Sequence, residues 1–472
     1  MKPVPPATGG VTDPGLVSET ASELGVTPGP AAGDRSGAVD PVDENLTQAR
    51  LGRAPRDRLE ATIVLEAWDG RPARRALSDA RSLVGHEPPL ANGKGRIDLG
   101  DDSERVSVIG EAVALVLSIL SVAAWARPLS RELGAHTLAH AIQIALPVAV
   151  GLQWAVRSRY LSRRKGLALL AREGIALSCA VAVGVELPVA VGPRGGTVAA
   201  LLIAVWVGGT VLTRRGWGLL YAFSLVLTTI ALDLGFSPYV VLGALAALTV
   251  GLCCAAVLTR RVSTDDRPGS VPRAVLAAVL GAGIGILLVG DPSLGWGVRG
   301  VHPAIALVPS VIGSFWGGYH LWNLYGEIPL GLSGVPLERA SRVGFTDPAM
   351  RVFLGAVLRL LGATVVLSGI VIALGRWTQG TDALSVFVAF GCAALVSMMV
   401  SLLESLAFQR AALVAVGVAL LSEFAWRHLV HVHTAGSALA VGAMVGILVT
   451  VPPLIAVLSR SGRVLATTLL IR

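Results

Sequence analysis

The chain has 472 residues, 53% of them hydrophobic and only 15% charged, with a formal net charge of +8. A soluble domain carries roughly a quarter charged residues, so this deficit excludes a soluble enzyme, a disordered scaffold and, despite the basic balance, a nucleic-acid-binding domain. All four cysteines (Cys179, Cys253, Cys254 and Cys392) fall inside apolar runs, which excludes a secreted disulfide framework.

The composition changes once, near Arg105. Residues 1–105 hold 13 basic and 17 acidic side chains, whereas residues 106–472 hold 26 and 14. The first fifty residues are rich in Pro, Gly and Ala without apolar periodicity, and are expected to be disordered because they bury too little surface to offset ordering entropy. No basic stretch followed by an apolar run stands near Met1. Within this region, residues 57–85 are the candidate for a small folded element. Leu59 to Trp68 (LEATIVLEAW) is expected as a short strand and Ala73 to Val84 as a short helix.

From Val106 onward, long apolar runs alternate with short polar breaks. A membrane helix needs about 20 apolar residues. Twelve runs approach that length, at 107–126, 139–156, 166–190, 197–213, 216–233, 238–259, 274–290, 303–325, 352–375, 383–408, 411–427 and 435–459. The fifth and eleventh are separated from their predecessors by only two or so polar residues, which leaves a count of eleven open. The even loops carry the arginines: Arg157, Arg159, Arg163 and Arg164 in the second, Arg214 and Arg215 in the fourth, Arg260 and Arg261 in the sixth, Arg339 and Arg342 in the eighth, and Arg410 in the tenth. By the positive-inside rule both termini are cytoplasmic. The expected fold is an all-α, multi-pass plasma-membrane protein whose first partner is the lipid bilayer.

The two halves read as copies. Displaced by 162 residues, His140, Pro147, Gly151 and Trp154 align with His302, Pro309, Gly313 and Trp316, a shared H-x6-P-x3-G-x2-W pattern in the second and eighth runs. The fourth and fifth runs meet at a tight basic turn, LTRRGW, and the tenth and eleventh meet similarly at AFQRAA. Two six-helix bundles, 106–262 and 263–472, would share one orientation, a transporter layout with its binding site at the repeat interface.

Two six-helix bundles, these tight basic turns and the absence of large outer loops resemble the multidrug/oligosaccharidyl-lipid/polysaccharide exporter superfamily, across residues 106–460 and at the level of pattern. The major facilitator superfamily shares the layout but usually carries a Gly-x-x-x-Asp-Arg-x-Gly-Arg-Arg signature in its second loop. Here that loop reads GLQWAVRSRYLSRRKG, without the aspartate or the internal glycine.

Ionisable groups within the apolar runs are the candidates for chemistry, because each must face a cavity or a partner. Arg172 in the third run and Arg359 in the ninth sit at matching depths. They are read either as structural ion-pair members, Arg172 near Glu173, or as the lining of a cationic cavity whose guanidinium groups grip phosphate bidentately. The resemblance implies the second, since cavity arginines of such exporters serve lipid-linked sugar phosphates. Glu404, Glu423 and Glu173 are the candidate ion-coupling carboxylates, Glu404 first, with a structural arginine partner as its alternative reading. Trp154 in the second run, with Trp316, Tyr319, His320 and Trp322 in SFWGGYHLWNLYGE, forms an aromatic set that either anchors at the membrane interface or stacks on sugars and head groups. His428, His431 and His433 have spacings seen in zinc sites, but no Cys or carboxylate stands near them, so no metal is expected. No Walker, nucleophile-elbow, HExxH or Rossmann pattern is present, and neither a catalytic residue nor a cofactor is expected.

The leading expectation is therefore a secondary exporter or flippase of lipid-linked or anionic polysaccharide precursors. The alternatives are a small-molecule efflux carrier of major-facilitator type, a membrane glycosyltransferase or polymerase, and a non-transporting scaffold whose N-terminal arm recruits cytoplasmic partners.

Overall fold

The computed structural model describes residues 41–51, 55, 61–66, 69 and 71–84 of the N-terminal region. Beyond it the described residues are 117–161, 193–258, 270–291, 346–379, 384–430 and 434–459, with gaps of one or two residues in some of these stretches, and Ala306 and Val308. Among the described residues every regular element is helical.

The N-terminal region departs from the sequence reading in two places. Pro41–Leu51 forms a helix (α1) inside the stretch expected to be disordered, and residues 61–62 and 64–66 are helical where a strand was expected. The expected second helix is present as Ala73–Leu83 (α2). The reason lies in the spacing of the small residues. Ala61 and Leu65, one helical turn apart, pack on Ala76 and Ala80, also one turn apart. A strand would put successive residues on opposite faces and lose that match. Charge closes the unit. Arg71 lies between the helices and bonds Asp43 of α1 at 2.5 and 2.6 Å, Asp79 of α2 at 2.7 Å, and Asp69 beside it. The hydrogen bonds that Asp43 accepts from Arg71 outweigh the desolvation of the guanidinium and strengthen its hold on its proton. Thus α1 is held by a partner 28 residues away, which composition alone does not reveal.

In the membrane portion the described residues between 117 and 133 are helical, and nine further helices have described bounds: α3 (Ala135–Val156), α4 (Pro193–Arg214), α5 (Gly218–Asp233), α6 (Pro238–Leu258), α7 (Val271–Val289), α8 (Thr346–Gln379), α9 (Leu384–Ser405), α10 (Gln409–Leu429) and α11 (Ser437–Ser459). Each coincides with one of the twelve apolar runs. Eight of them are long and apolar enough to cross a membrane, and α5, at 16 residues, is shorter. The third run lies outside the described residues, the eighth nearly so, and only the later part of the first is described. Four buried threonine hydroxyls in these helices are satisfied locally, as a lipid environment favours. Thr228, Thr249, Thr364 and Thr450 each donate to the carbonyl four residues back, at 2.8–3.0 Å.

The tight basic turn between α4 and α5 has a clear cause. The Trp217 N–H reaches back to the Leu212 carbonyl at 2.9 Å and the Gly216 N–H to Thr213 at 3.0 Å, with Gly216 at φ 84°. This is a Schellman cap, and its left-handed position favours glycine. Gly235 repeats it between α5 and α6, with Phe236 bonded to Ala231 and φ at 87°.

Two apolar cores result. One gathers Trp125 and Leu129 with residues of α3, α4, α5 and α6. The other gathers α7 to α11 around α9, where Phe387 and Phe390 are fully enclosed, and it also takes in Trp154 from α3. Among the described helices, only α3 contributes buried side chains to both cores, and that positions the site.

Candidate functional site

α3 and α7 form an antiparallel seam between the two cores, built from residues that let backbones meet. A methyl group placed on Gly285 would lie 2.5 Å from the Pro147 Cα, and one on Gly281 would lie 2.7 Å from the Val150 carbonyl and 2.8 Å from the Trp154 ring. On the facing helix, a methyl on Gly151 would lie 2.9 Å from the Ala278 carbonyl. Between lipid-bathed helices the driving force is close van der Waals contact rather than water exclusion, so small residues mark the interface. Three of the four motif residues in the first half, Pro147, Gly151 and Trp154, are therefore seam residues. His140 is exposed and bonds only its own helix, at the His136 carbonyl. The corresponding His302, Pro309, Gly313 and Trp316 lie outside the described residues.

At one end of the seam, α3 passes into a π-helical turn, Arg157–Leu161, and the Arg157 N–H bonds both Gln153 and Trp154 carbonyls at the change. Single π turns within α-helices recur at functional sites. The Arg157 guanidinium lies 4.9 Å from the centre of the Trp154 ring and forms a 3.0 Å ion pair with Glu404 of α9. Both of its terminal nitrogens also approach the Ser401 hydroxyl at 3.4 Å. The Glu404 side chain is only 9% exposed and that of Arg157 is 33% exposed. One arginine thus ties the two cores together at a partly open edge.

At the opposite end of α7 the arrangement differs. Glu423 of α10 is 3% exposed, and its Oε1 accepts no hydrogen bond. The carboxyl lies against bare backbone: a methyl on Gly290 would come within 2.9 Å of Oε1, and one on Gly442 of α11 within 2.9 Å of the Glu423 Cβ. Asp291, the residue after Gly290, is also 3% exposed. Arg427, one turn along α10, sends its Nη1 to the Gly290 carbonyl at 2.7 Å.

Of the residues singled out from sequence, the structure brings Trp154 and Glu404 together through Arg157. Glu423 stands at the other end of the bundle, and Arg359 lies on an exposed face of α8. Arg172, Glu173, Trp316, Tyr319, His320 and Trp322 are outside the described residues. Glu404 has the arginine partner that was its alternative reading. Sequence reasoning missed Arg157, which counted only as a loop charge in the topology argument. Its position three residues after Trp154, continuing the spacing of Pro147, Gly151 and Trp154, was the available signal. Arg427 and Asp291 were not among the residues singled out. Among the described residues, no group of three or more His, Cys, Asp or Glu side chains is placed to hold a metal ion.

No protein-family model, curated protein or solved structure matches the chain.

Proposed function

We propose that this integral membrane protein is a secondary transporter that works by alternating access, with Arg157–Glu404 as the closure at one membrane face. The observation that carries this reading is that a partly buried ion pair, seated at an α-to-π transition, links two apolar cores otherwise joined by the α3–α7 seam. A purely structural contact would be served as well by apolar side chains, since replacing buried ion pairs with packed hydrophobes is often neutral or stabilising. A pair that must form and break in a transport cycle cannot be replaced in this way. The charge bias of the loops assigns this face to the cytoplasm.

The substrate we propose is anionic, of the class of lipid-linked or polysaccharide phosphates, with Arg359 and Arg172 as its ligands. Arg359 is exposed on α8, 13 residues after the helix begins at Thr346. An arginine at that depth is costly against lipid tails and suits a water-filled cavity or head groups. The twelve-helix, two-repeat layout belongs to this same reading. Depleting the protein in its own host and extracting membrane lipid-linked saccharides tests it. The expected result is accumulation of these lipids with loss of surface polysaccharide, restored by the wild-type chain and not by Arg172→Ala or Arg359→Ala. Unchanged pools would overturn the substrate assignment.

The folded N-terminal unit around Arg71 favours a second role beside the first, docking of a cytoplasmic partner. A chain lacking residues 41–84 that retains full transport but loses a co-purifying protein would establish it.

A further inference from the structure

We propose that Glu423, facing Asp291 across the α7–α10 crossing, is a proton-binding site at the end of the bundle opposite Arg157–Glu404. The Glu423 Oε1 has no hydrogen-bond donor and the side chain is 3% exposed. Its immediate neighbours are the backbone at Gly290 and Gly442, two positions where any side chain would displace it. An ionised carboxylate left in such a place without donors costs several kcal/mol, and the proton is the smallest ligand that removes the charge.

The charged groups on each packed helix support a proton rather than a metal. From α7 comes Asp291, a second acid, which disfavours two negative charges side by side. From α10 come Arg427, which donates to the Gly290 carbonyl and forms no ion pair with Glu423 among the described residues, and His428, which is exposed and bonds its own helix at Phe424. α11 faces the site with Gly442 and has no titratable side chain along its length. A metal ion would need further oxygen ligands and would lie close to the Arg427 cation. The indole N–H of Trp426 and the hydroxyl of Ser437, at the same end of α10 and α11, are also buried without partners.

A coupling role for this proton rests on the transporter reading above, whereas the site itself can be tested without transport. The full-length protein in lipid nanodiscs would be examined by infrared difference spectroscopy between acidic and alkaline buffer, in sodium-free medium. The expected result is a carboxylic-acid C=O band that appears and disappears with pH in the wild type and is lost in Glu423→Gln. In Asp291→Asn the same band should persist with a displaced midpoint, which keeps the site testable if Glu423→Gln fails to fold. An unchanged band in Glu423→Gln, or a midpoint indifferent to Asp291→Asn, overturns the proposal. So does a band removed by sodium at constant pH, which would make the ligand a metal cation. A band that behaves as expected in a protein that moves no substrate would sustain the proton site and count against the transporter reading alone.

Discussion

Glu404 and Glu423 begin from the same sequence signal, a lone carboxylate in an apolar run, and end in opposite environments. Glu404 meets a guanidinium from the other core at 3.0 Å, with Ser401 and Trp154 completing the contact. Glu423 lies against the backbone of Gly290 and Gly442 with its Oε1 lacking a donor, while the arginine one turn away donates to a carbonyl instead. The two ends of the bundle therefore hold charge differently, one as an ion pair between helices and the other as a buried carboxyl with an oxygen left without a donor. What distinguishes them is the partner brought by a distant helix, and neither helix's own sequence contains it.

The largest effect should come from destroying the seam that sets both ends in register. Gly285→Leu forces a side chain into the Pro147 backbone, where even a methyl group would lie 2.5 Å away. Overpacking of this kind costs about 1–3 kcal/mol or more, and here the chain can relieve it only by separating the two cores. The expected outcome is loss of monodisperse protein on size-exclusion chromatography in mild detergent. A Gly285→Leu variant as stable as the wild type would show that α3 and α7 do not meet as described.

Next in size is the ion pair. Glu404→Ala strands a partly buried arginine and should lower thermal stability by about 3 kcal/mol, the lower end of the range for broken buried pairs because a third of the Arg157 side chain remains exposed. Arg157→Glu should abolish transport, and Arg157→Glu with Glu404→Arg should recover a substantial part of it. Failure of the exchange to rescue, with both single variants inactive, would limit the pair to a role that depends on the Trp154 stacking or the π turn.

The smallest effect on the membrane bundle is expected from Arg71→Ala. This change leaves Asp43, Asp69 and Asp79 without their shared cation and should cost the N-terminal unit about 2 kcal/mol, read as faster proteolysis between α1 and α2. The stability of the membrane portion should not change. If it falls in parallel, the N-terminal unit is coupled to the bundle rather than independent of it.

Much of this molecule was legible from apolar run length alone. Every described membrane helix coincides with a predicted run, because about 20 apolar residues and a polar break are what a bilayer demands. The Gly281 and Gly285 spacing also reads directly as a packing face. Tertiary partnership was not legible. Leu59 to Trp68 has strand-forming residues, yet its described residues, 61–62 and 64–66, are helical because Ala61 and Leu65 find Ala76 and Ala80. Arg157 looked like one more cytoplasmic arginine, because its carboxylate partner lies 247 residues away. The Pro147, Gly151 and Trp154 pattern stood out as a repeat signature, while its physical task, backbone contact with α7, appears only when the two helices meet.

The central claim is that Arg157–Glu404 opens and closes. The direct measurement is pulsed electron–electron resonance between nitroxides at Ser158 and Arg410, close to the pair on the two cores, in lipid nanodiscs and in a background without native cysteines. The account predicts two distance populations, with the longer one enriched by Glu404→Gln. A single short distance, identical with and without Glu404→Gln, would contradict it and leave the pair as a fixed structural tie.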